Sequence, residues 1–219
     1  RKILSQLTSQ NLHNNDFPWL KGKEILINKI PVRALRVNYV GELGWELHHP
    51  MNQMESLYDT IYEVGKKENI INFGTYAVNS LRMEKGYRGW GSELTGEISL
   101  VEAGMDRFFN LKKKNNFIGS KALQNKIQLG VDIKIVYLEV DVDCVDARGN
   151  EPVYHNGKVV GVVTSGGYGF RTKKSLAFAY VKSDLSKVSD LEIEIQGKKR
   201  KAKILDKVVY DPENKKLRA

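Results

Sequence analysis

Cysteine is nearly absent from the 219-residue sequence, which contains only Cys144. A lone cysteine excludes a disulfide within the chain and any metal site built on several cysteines, and it suits a reducing compartment. We therefore expect the cytoplasm, or the mitochondrial matrix in a eukaryote. Histidine is scarce as well, and the adjacent pair His48 and His49 should point to opposite faces of a strand. No metal site is expected.

Long apolar runs are also missing, so we expect no segment that spans a bilayer and no membrane partner. The excess of 35 basic over 26 acidic residues, a net charge of +9, first suggests nucleic acid. The basic residues are scattered, however, and the denser clusters at residues 112–114 and 198–201 are typical of charged turns. A nucleic-acid partner is therefore not expected.

The chain is organised around residues 37–47. Apolar and polar residues alternate on both sides of Gly41 and Gly44, which predicts a strand, a tight turn and a second strand. Glycines at these positions let the backbone turn sharply or approach a ligand. Glu42 lies between them, so the predicted turn presents one carboxylate at a defined point. An exposed acid in an ordinary turn is the simpler alternative.

A second stretch, residues 80–91, combines a helical pattern with a glycine-rich loop. Gly86 is predicted to end the helix. The loop then carries Tyr87, Arg88 and Trp90, whose flat side chains can stack on a heteroaromatic ligand. The alternative is a surface loop whose aromatic side chains complete the edge of a core.

The first part of the chain is predicted to be a mixture of strands and helices. Two short β runs cover residues 24–27 and 32–37. Apolar residues at positions 54, 57, 61 and 64 predict an amphipathic helix that Gly65 ends, and a second helix should cover residues 76–85. Phe108, Phe109 and Leu111 are interpreted as a further strand. Helices that cover one face of a sheet are therefore expected, an α+β arrangement.

The character of the sequence changes after residues 130–132, and we place a domain boundary there, dividing 1–131 from 132–219. Six short β runs follow, at residues 135–140, 152–154, 158–164, 176–181, 191–195 and 201–205. Turn signals separate them, including Asn156-Gly157 and the glycines of residues 166–169. Many short strands with regular turns predict a small antiparallel barrel or sandwich.

Five words of the sequence together resemble the folate-binding aminomethyltransferase family, which includes the glycine cleavage T-protein and the C-terminal halves of dimethylglycine and sarcosine dehydrogenases. The words are YVGELGWEL at 39–47, SLRMEKGYR at 80–88, EAG at 102–104, FIG at 117–119 and GVVTSGG at 161–167. Their order and spacing cover most of the chain. The first two words look more like the dehydrogenase branch than the glycine-cleavage branch.

The resemblance implies an enzyme with a mixed helix-on-sheet, tetrahydrofolate-binding domain followed by a small antiparallel β-barrel. In the dehydrogenase branch, a flavin domain oxidises an N-methyl group of a methylated amine to an iminium. The folate domain then captures the one-carbon unit as 5,10-methylenetetrahydrofolate. FAD is therefore expected only if an upstream flavin domain or subunit is present.

The resemblance also implies which side chains contact the folate. Glu42 should accept hydrogen bonds from the pterin N–H groups, because a carboxylate can take two in a bidentate way. Tyr39, Tyr87 and Trp90 would hold the ring faces. Arg82 or Arg88 would meet the glutamate tail or a structural carboxylate. For Arg82 the alternative is a purely structural role, in which it holds the helix in place together with Glu84.

The chain departs from the family pattern in two ways. Val78-Asn79 stand where glycine-cleavage T-proteins carry an Arg-Asp pair, which favours the dehydrogenase branch. The family's catalytic aspartate lies N-terminal to every matched word, so no catalytic residue is assigned. We therefore expect the chain to be a C-terminal fragment, with the first portion of the folate domain missing.

Three other functions remain open on the same scaffold. One is a glycine cleavage aminomethyltransferase, which requires a lipoyl carrier partner. Another is a sulfur-compound demethylase, because the fold does not determine the substrate. The third is a noncatalytic folate-binding helper of RNA modification. Those helpers carry a Lys-Gly-Cys-type word, and Lys85-Gly86-Tyr87 lacks the cysteine.

Overall fold

The computed structural model describes residues 1–113 and 117–219. The chain divides by its internal packing into two compact units, one made of Arg1–Leu81 with Tyr210–Ala219 and the other of Arg82–Val209. This division is based on contacts within the chain. It does not test the domain boundary predicted between residues 131 and 132, which stays a prediction. The predicted basic cluster at 112–114 extends outside the described residues at Lys114.

The first unit contains an antiparallel sheet of three strands in the order β1-β2-β3, with β1 at Gly22–Ile27, β2 at Ile30–Leu35 and β3 at Glu46–His48. Asn28 and Lys29 join β1 to β2 with φ angles of 47° and 69°, as a two-residue hairpin turn requires. Alternate side chains are buried on one sheet face, including Ile25, Val32 and Ala34. Both predicted β runs are therefore confirmed, although the second strand ends at Leu35 and not at Val37.

The tight hairpin predicted over residues 37–47 is wrong in its first half. β2 ends at Leu35, residues 36–45 form a loop, and only β3 continues as a strand, with Leu35 paired to Glu46. The Asn38 side chain explains the difference. Its Oδ1 accepts hydrogen bonds from the backbone N–H groups of Val40, Gly41 and Glu42, which holds residues 38–42 in a bend and not in an extended strand.

Three α-helices are present among the described residues: α1 at Met54–Gly65, α2 at Thr75–Glu84 and α3 at Ser120–Leu129. The first two confirm the predicted helices. α2 ends just before Gly86, as expected; Gly86 has a φ of 68°, and the N–H of Tyr87 donates to the carbonyl of Arg82 at 2.9 Å. This pattern is a helix C-cap in which glycine adopts the left-handed conformation at little cost.

The second unit contains six strands, numbered β4 to β9 in chain order: Ile133–Val140, Pro152–His155, Lys158–Gly169, Lys174–Lys182, Leu191–Ile195 and Lys198–Ile204. They form a closed barrel in the order β4-β7-β6-β5-β8-β9, in which every neighbouring pair is antiparallel. All six predicted β runs are confirmed, and closure decides between the barrel and the sandwich. The α+β fold class with a small antiparallel barrel is confirmed as well.

The middle parts of β4 and β7 are buried on both faces, which explains the apolar runs at residues 135–138 and 176–181. Val136 and Leu138 point with Ala177 and Ala179 into the barrel core. On the other face, Tyr137 packs against Phe178, with ring centroids 5.0 Å apart. A strand that packs on both sides leaves no polar face to solvent, so its sequence does not alternate.

Three local predictions in the second unit are wrong. Residues 106–108 form a 3₁₀ turn in place of the predicted strand around Phe108. The basic residues 198–201 begin β9, and the turn before them is Gln196-Gly197. Residues 166–169 continue β6, although their glycines predicted a turn. At Gly166 the reason is a close approach, because a Cβ there would lie 2.3 Å from the carbonyl oxygen of Ala147.

Candidate functional site

The loop of residues 36–45, in the first unit, holds Glu42. Besides the three bonds to its Oδ1, Asn38 donates from Nδ2 to the carbonyl of Glu42, so one side chain closes the backbone around that residue. An asparagine that bonds its own following backbone stabilises a defined loop conformation. The sequence predicted an acid at a defined point, and in the structure the hydrogen bonds of Asn38 fix the backbone at that acid.

The Glu42 side chain is half-buried, and its Oε1 accepts a hydrogen bond from the hydroxyl of Tyr210. Tyr210 belongs to the last segment of the same unit. Sequence reasoning missed it, because nothing near position 210 marks a tyrosine that lies 168 positions from its partner. Tyr39 lies in the same loop with 39% of its surface exposed. In the first unit, Glu42 and Tyr39 therefore lie in one loop, and Tyr210 contacts that loop through Glu42.

The remaining predicted residues lie in the second unit, where residues 86–94 form what we call the aromatic loop. Its backbone is closed by hydrogen bonds from the N–H of Leu94 to the carbonyl of Gly89 and from the N–H of Gly91 to the carbonyl of Leu94. Trp90 projects from this loop with 84% of its surface exposed, whereas Tyr87 is half-buried. An exposed indole on a closed loop is available for stacking on a ligand.

Glu93 is the residue at the centre of this loop, and sequence reasoning did not single it out. Its side chain is fully buried. One carboxylate oxygen accepts from Arg82 Nη1 at 3.0 Å, from the Gly89 N–H at 2.6 Å and from the Ser92 hydroxyl at 3.0 Å. The other oxygen accepts from the hydroxyls of Thr164 at 2.6 Å and Ser165 at 2.5 Å, both on β6.

Burial alone would raise the pKa of Glu93, yet that pKa lies below its usual value. The hydrogen bonds from Ser165 and Thr164, followed by the bond from Gly89 and the charge of Arg82, outweigh burial. The carboxylate therefore stays ionised inside the protein. Burial, together with this negative charge, raises the pKa of Tyr180 to about 12, so its hydroxyl remains a donor to the carbonyl of Glu93 at 2.8 Å.

The two predicted arginines have different surroundings. Arg82 is 5% exposed and donates to Glu93 and, at 3.1 Å, to the carbonyl of Tyr87, which is the structural role weighed from the sequence. Arg88 donates to the carbonyl of Gly86 at 2.8 Å, and its guanidinium lies 5.2 Å from the ring centre of Phe178. Burial, reinforced by the charge of Arg107, lowers the pKa of Arg88. Contacts of either arginine with a folate remain predictions.

Glu84, at the end of α2, forms a second buried carboxylate cluster. It is fully buried and accepts from Arg171 Nε at 2.7 Å, from the Thr172 N–H at 2.8 Å and from the Thr172 hydroxyl at 3.1 Å. The sequence suggested that Arg82 and Glu84 hold the helix, and each does so with a different partner. Neither Arg171 nor Thr172 carries a local sequence signal.

Glu102, in the Glu102-Ala103-Gly104 word, is held by Ser99 and by Lys126 of α3, with Lys126 Nζ at 2.7 Å. Burial opposes ionisation, but the bond from Lys126 and the bonds from Ser99 lower the pKa of Glu102. A depressed folded-state pKa stabilises the fold above the unfolded value of about 4.3, and this contribution is lost as pH falls through the folded-state pKa.

We therefore expect Glu102→Gln to lower the free energy of unfolding by about 1 kcal/mol at neutral pH. The difference from the unaltered chain should begin to shrink below about pH 4.3, the unfolded value, and should vanish once the pH has fallen through the lower folded-state pKa of Glu102. Urea unfolding at a series of pH values measures both quantities. Glu97→Gln, at an exposed position nearby, is the control and should change little. A Glu102→Gln difference that grows toward low pH would contradict the prediction.

A cavity of about 1050 Å³ opens at one end of the barrel, where the ends of β4, β7, β8 and β9 meet. None of the six predicted site residues lines it. Across residues 1–113 and 117–219, no three or more His, Cys, Asp or Glu residues are grouped so that they could hold a metal ion. Within that described part, no helix has the length and apolar character needed to cross a membrane.

Two family models match the chain. One is described as the GCVT N-terminal domain and matches residues 1–113, and the other is the glycine cleavage T-protein C-terminal barrel domain, which matches residues 134–211. The glycine cleavage system aminomethyltransferase T from Bartonella henselae has a similar structure, with a TM-score of 0.82 and 24% identity. That match covers 96% of this chain and 57% of the other, and it shows a common fold.

The chain is 44% identical over 220 residues to the mitochondrial dimethylglycine dehydrogenase of Homo sapiens. It is 34% identical over 226 residues to the mitochondrial sarcosine dehydrogenase of the same organism. The matches cover 99% and 100% of this chain but 25% and 24% of the relatives. The chain thus spans about a quarter of the length of these curated relatives.

Proposed function

This chain belongs to the glycine cleavage T-protein family, and on that premise we propose that it forms part of a tetrahydrofolate-dependent one-carbon transfer domain. The observation that carries the proposal is the Glu42 carboxylate on its Asn38-closed loop. Family membership makes the domain aminomethyltransferase-like, and the role of each residue toward a folate is inferred from the chemistry of the side chains.

The donor set of the pterin fits Glu42. A pterin edge presents amino and ring N–H donors, and an ionised carboxylate has about four lone-pair positions, all of them acceptors. The Tyr210 hydroxyl donates to Oε1 of this carboxylate and helps to orient it. The side chain is only half-buried, so a ligand can reach it. Bound tetrahydrofolate would supply the nitrogen atoms that accept the one-carbon unit, and Glu42 would orient them.

Five other residues belong to the proposal, each within its own unit. In the first unit, Tyr39 offers a partly exposed ring beside Glu42. In the second unit, Tyr87 and Trp90 offer ring faces on the aromatic loop, and Arg82 and Arg88 offer positive charge for the folate glutamate tail. Arg82 is the weakest member of the set, because its guanidinium already binds the Glu93 carboxylate.

The finer proposal is that the domain serves a demethylase of the dimethylglycine or sarcosine dehydrogenase type. The identities of 44% and 34% to those enzymes support it. The substrate would be a methylated amine, the product 5,10-methylenetetrahydrofolate, and FAD would belong to a separate flavin domain or subunit. The mitochondrial location of the two relatives makes the matrix the proposed location if the protein is eukaryotic.

A glycine cleavage aminomethyltransferase is the second candidate, supported by the structural match to such an enzyme. The two candidates differ in their donor of the one-carbon unit. Dimethylglycine or sarcosine should support tetrahydrofolate-dependent turnover by the full native protein in the first case. A lipoyl-bound aminomethyl group should do so in the second.

Glu42→Gln should weaken tetrahydrofolate binding to the full native protein by about 1.5–3 kcal/mol, because a neutral amide replaces an ionised acceptor. Isothermal titration calorimetry measures this change. Glu46→Gln is the matched control, because Glu46 lies four residues away and is exposed. Unchanged affinity of the Glu42 variant would remove that residue from the site, and a native protein that binds no tetrahydrofolate would refute the proposed function.

A further inference from the structure

The aromatic loop is attached to the barrel through the Glu93 carboxylate. Two of the donors to this carboxylate, Thr164 and Ser165, belong to β6 of the barrel. The other donors are the Gly89 N–H, the Ser92 hydroxyl and Arg82 Nη1, which belong to the loop or to the helix before it. One buried group therefore joins the loop, the helix end and a barrel strand.

A fully buried carboxylate is costly unless nearly every lone pair accepts a hydrogen bond and a positive charge lies nearby. Glu93 meets both conditions, and its own backbone carbonyl accepts from the Tyr180 hydroxyl of β7. Gly89 lies against this cluster, because a Cβ there would lie 2.6 Å from the Ser92 hydroxyl and 3.2 Å from the Glu93 carboxylate. The cluster is closely packed, and it therefore holds the loop backbone in one conformation.

We propose that Glu93 is a positioning residue, which holds the aromatic loop against the barrel so that Tyr87 and Trp90 are preorganised to contact the folate. The inference rests on the proposed function, because it concerns the same ligand. Glu93 itself is fully buried, so its side chain has no exposed surface for a ligand to contact. Its effect arises because a loop that is already ordered loses less conformational entropy when it binds.

The barrel thereby acquires a role in binding. Trp90 is 84% exposed, so little packing of its own side chain holds it in place. Its orientation depends on a loop backbone that Glu93 bonds at Gly89, one residue earlier. The Thr164 and Ser165 hydroxyls transmit the rigidity of β6 to that backbone through the two carboxylate oxygens.

The test compares Glu93→Gln with Glu97→Gln in the full native protein labelled with 5-fluorotryptophan. Glu97 is exposed and lies four residues further along, so the control removes the same charge. The Trp90→Phe variant identifies the ¹⁹F resonance of Trp90. We expect Glu93→Gln to shift and broaden that resonance while those of Trp19 and Trp45 keep their positions. Tetrahydrofolate affinity should fall about tenfold, and Glu97→Gln should change neither quantity.

An unmoved Trp90 resonance, or an unchanged affinity in a folded Glu93→Gln variant, would overturn the proposal. If that variant does not fold, Thr164→Val removes one hydrogen bond and keeps the charge, and it should change both readouts in the same direction. An unmoved Trp90 resonance or an unchanged affinity in the Thr164→Val variant would likewise overturn the proposal. Absence of binding by the unaltered protein would refute the proposed function, and the ¹⁹F resonance would then test the positioning of the loop by itself.

Discussion

Replacing Phe178 by alanine should lower the free energy of unfolding by about 3–5 kcal/mol, the range for a fully buried phenylalanine. Phe178 is completely buried on β7 and packs against Tyr137. The guanidinium of Arg88 lies 5.2 Å from its ring centre and that of Arg82 lies 6.0 Å away. The substitution therefore removes apolar contacts and the aromatic ring that lies beside these two guanidinium groups. Urea unfolding followed by circular dichroism measures the loss.

Phe170→Ala is the matched control, because it removes the same ring from a position that is 75% exposed. Its effect should stay within about 0.5 kcal/mol. Equal losses for the two variants would show that the second face of β7 does not contribute the packing described above.

Replacing Glu84 by alanine should cost about 3–5 kcal/mol of stability, because the Arg171 charge and the two Thr172 donors lose their buried acceptor. Glu84 is fully buried and accepts from the Arg171 guanidinium and from the N–H and hydroxyl of Thr172. The backbone fits tightly around it, since a Cβ on Gly169 would lie 2.7 Å from Glu84 Cγ. Urea unfolding of the chain measures this loss too.

Glu139→Ala provides the comparison. Glu139 also forms an ion pair, with Lys174 at 2.5 Å, but both side chains are about one third exposed, at 33% and 35%. Its replacement should cost less than about 1 kcal/mol, because solvent screens exposed pairs. A Glu84→Ala effect no larger than the Glu139→Ala effect would refute the claim that burial makes the first pair important.

Several predictions from the sequence are confirmed because they depend on near neighbours along the chain. The three- and four-residue spacing of apolar residues located α1, and Gly86 marked the end of α2. The six β runs separated by turn signals became the six barrel strands. The five sequence words indicated the family, and the family models confirm it.

The errors occurred where a side chain or a distant backbone overruled the local pattern. Alternation predicted a strand through residues 37–40, but the Asn38 side chain accepts hydrogen bonds from the N–H groups of Val40, Gly41 and Glu42 and bends the backbone there. The glycines of residues 166–169 predicted a turn, but at Gly166 the residue makes room for the Ala147 carbonyl within a continuous strand. Asn38 and Gly166 do have special roles in the backbone, but these roles differ from the ones that the local pattern suggested.

By itself, the sequence determined the family, the strand and helix content and the acid at position 42, because periodicity, turn residues and short motifs are local properties. Only the tertiary structure decided that the middle parts of β4 and β7 are buried on both faces, and that Tyr210 bonds Glu42. It alone decided that Glu93 joins the aromatic loop to Ser165, 72 positions further along. A hydrogen bond between residues so far apart leaves no periodic trace, since its geometry exists only once the barrel has closed.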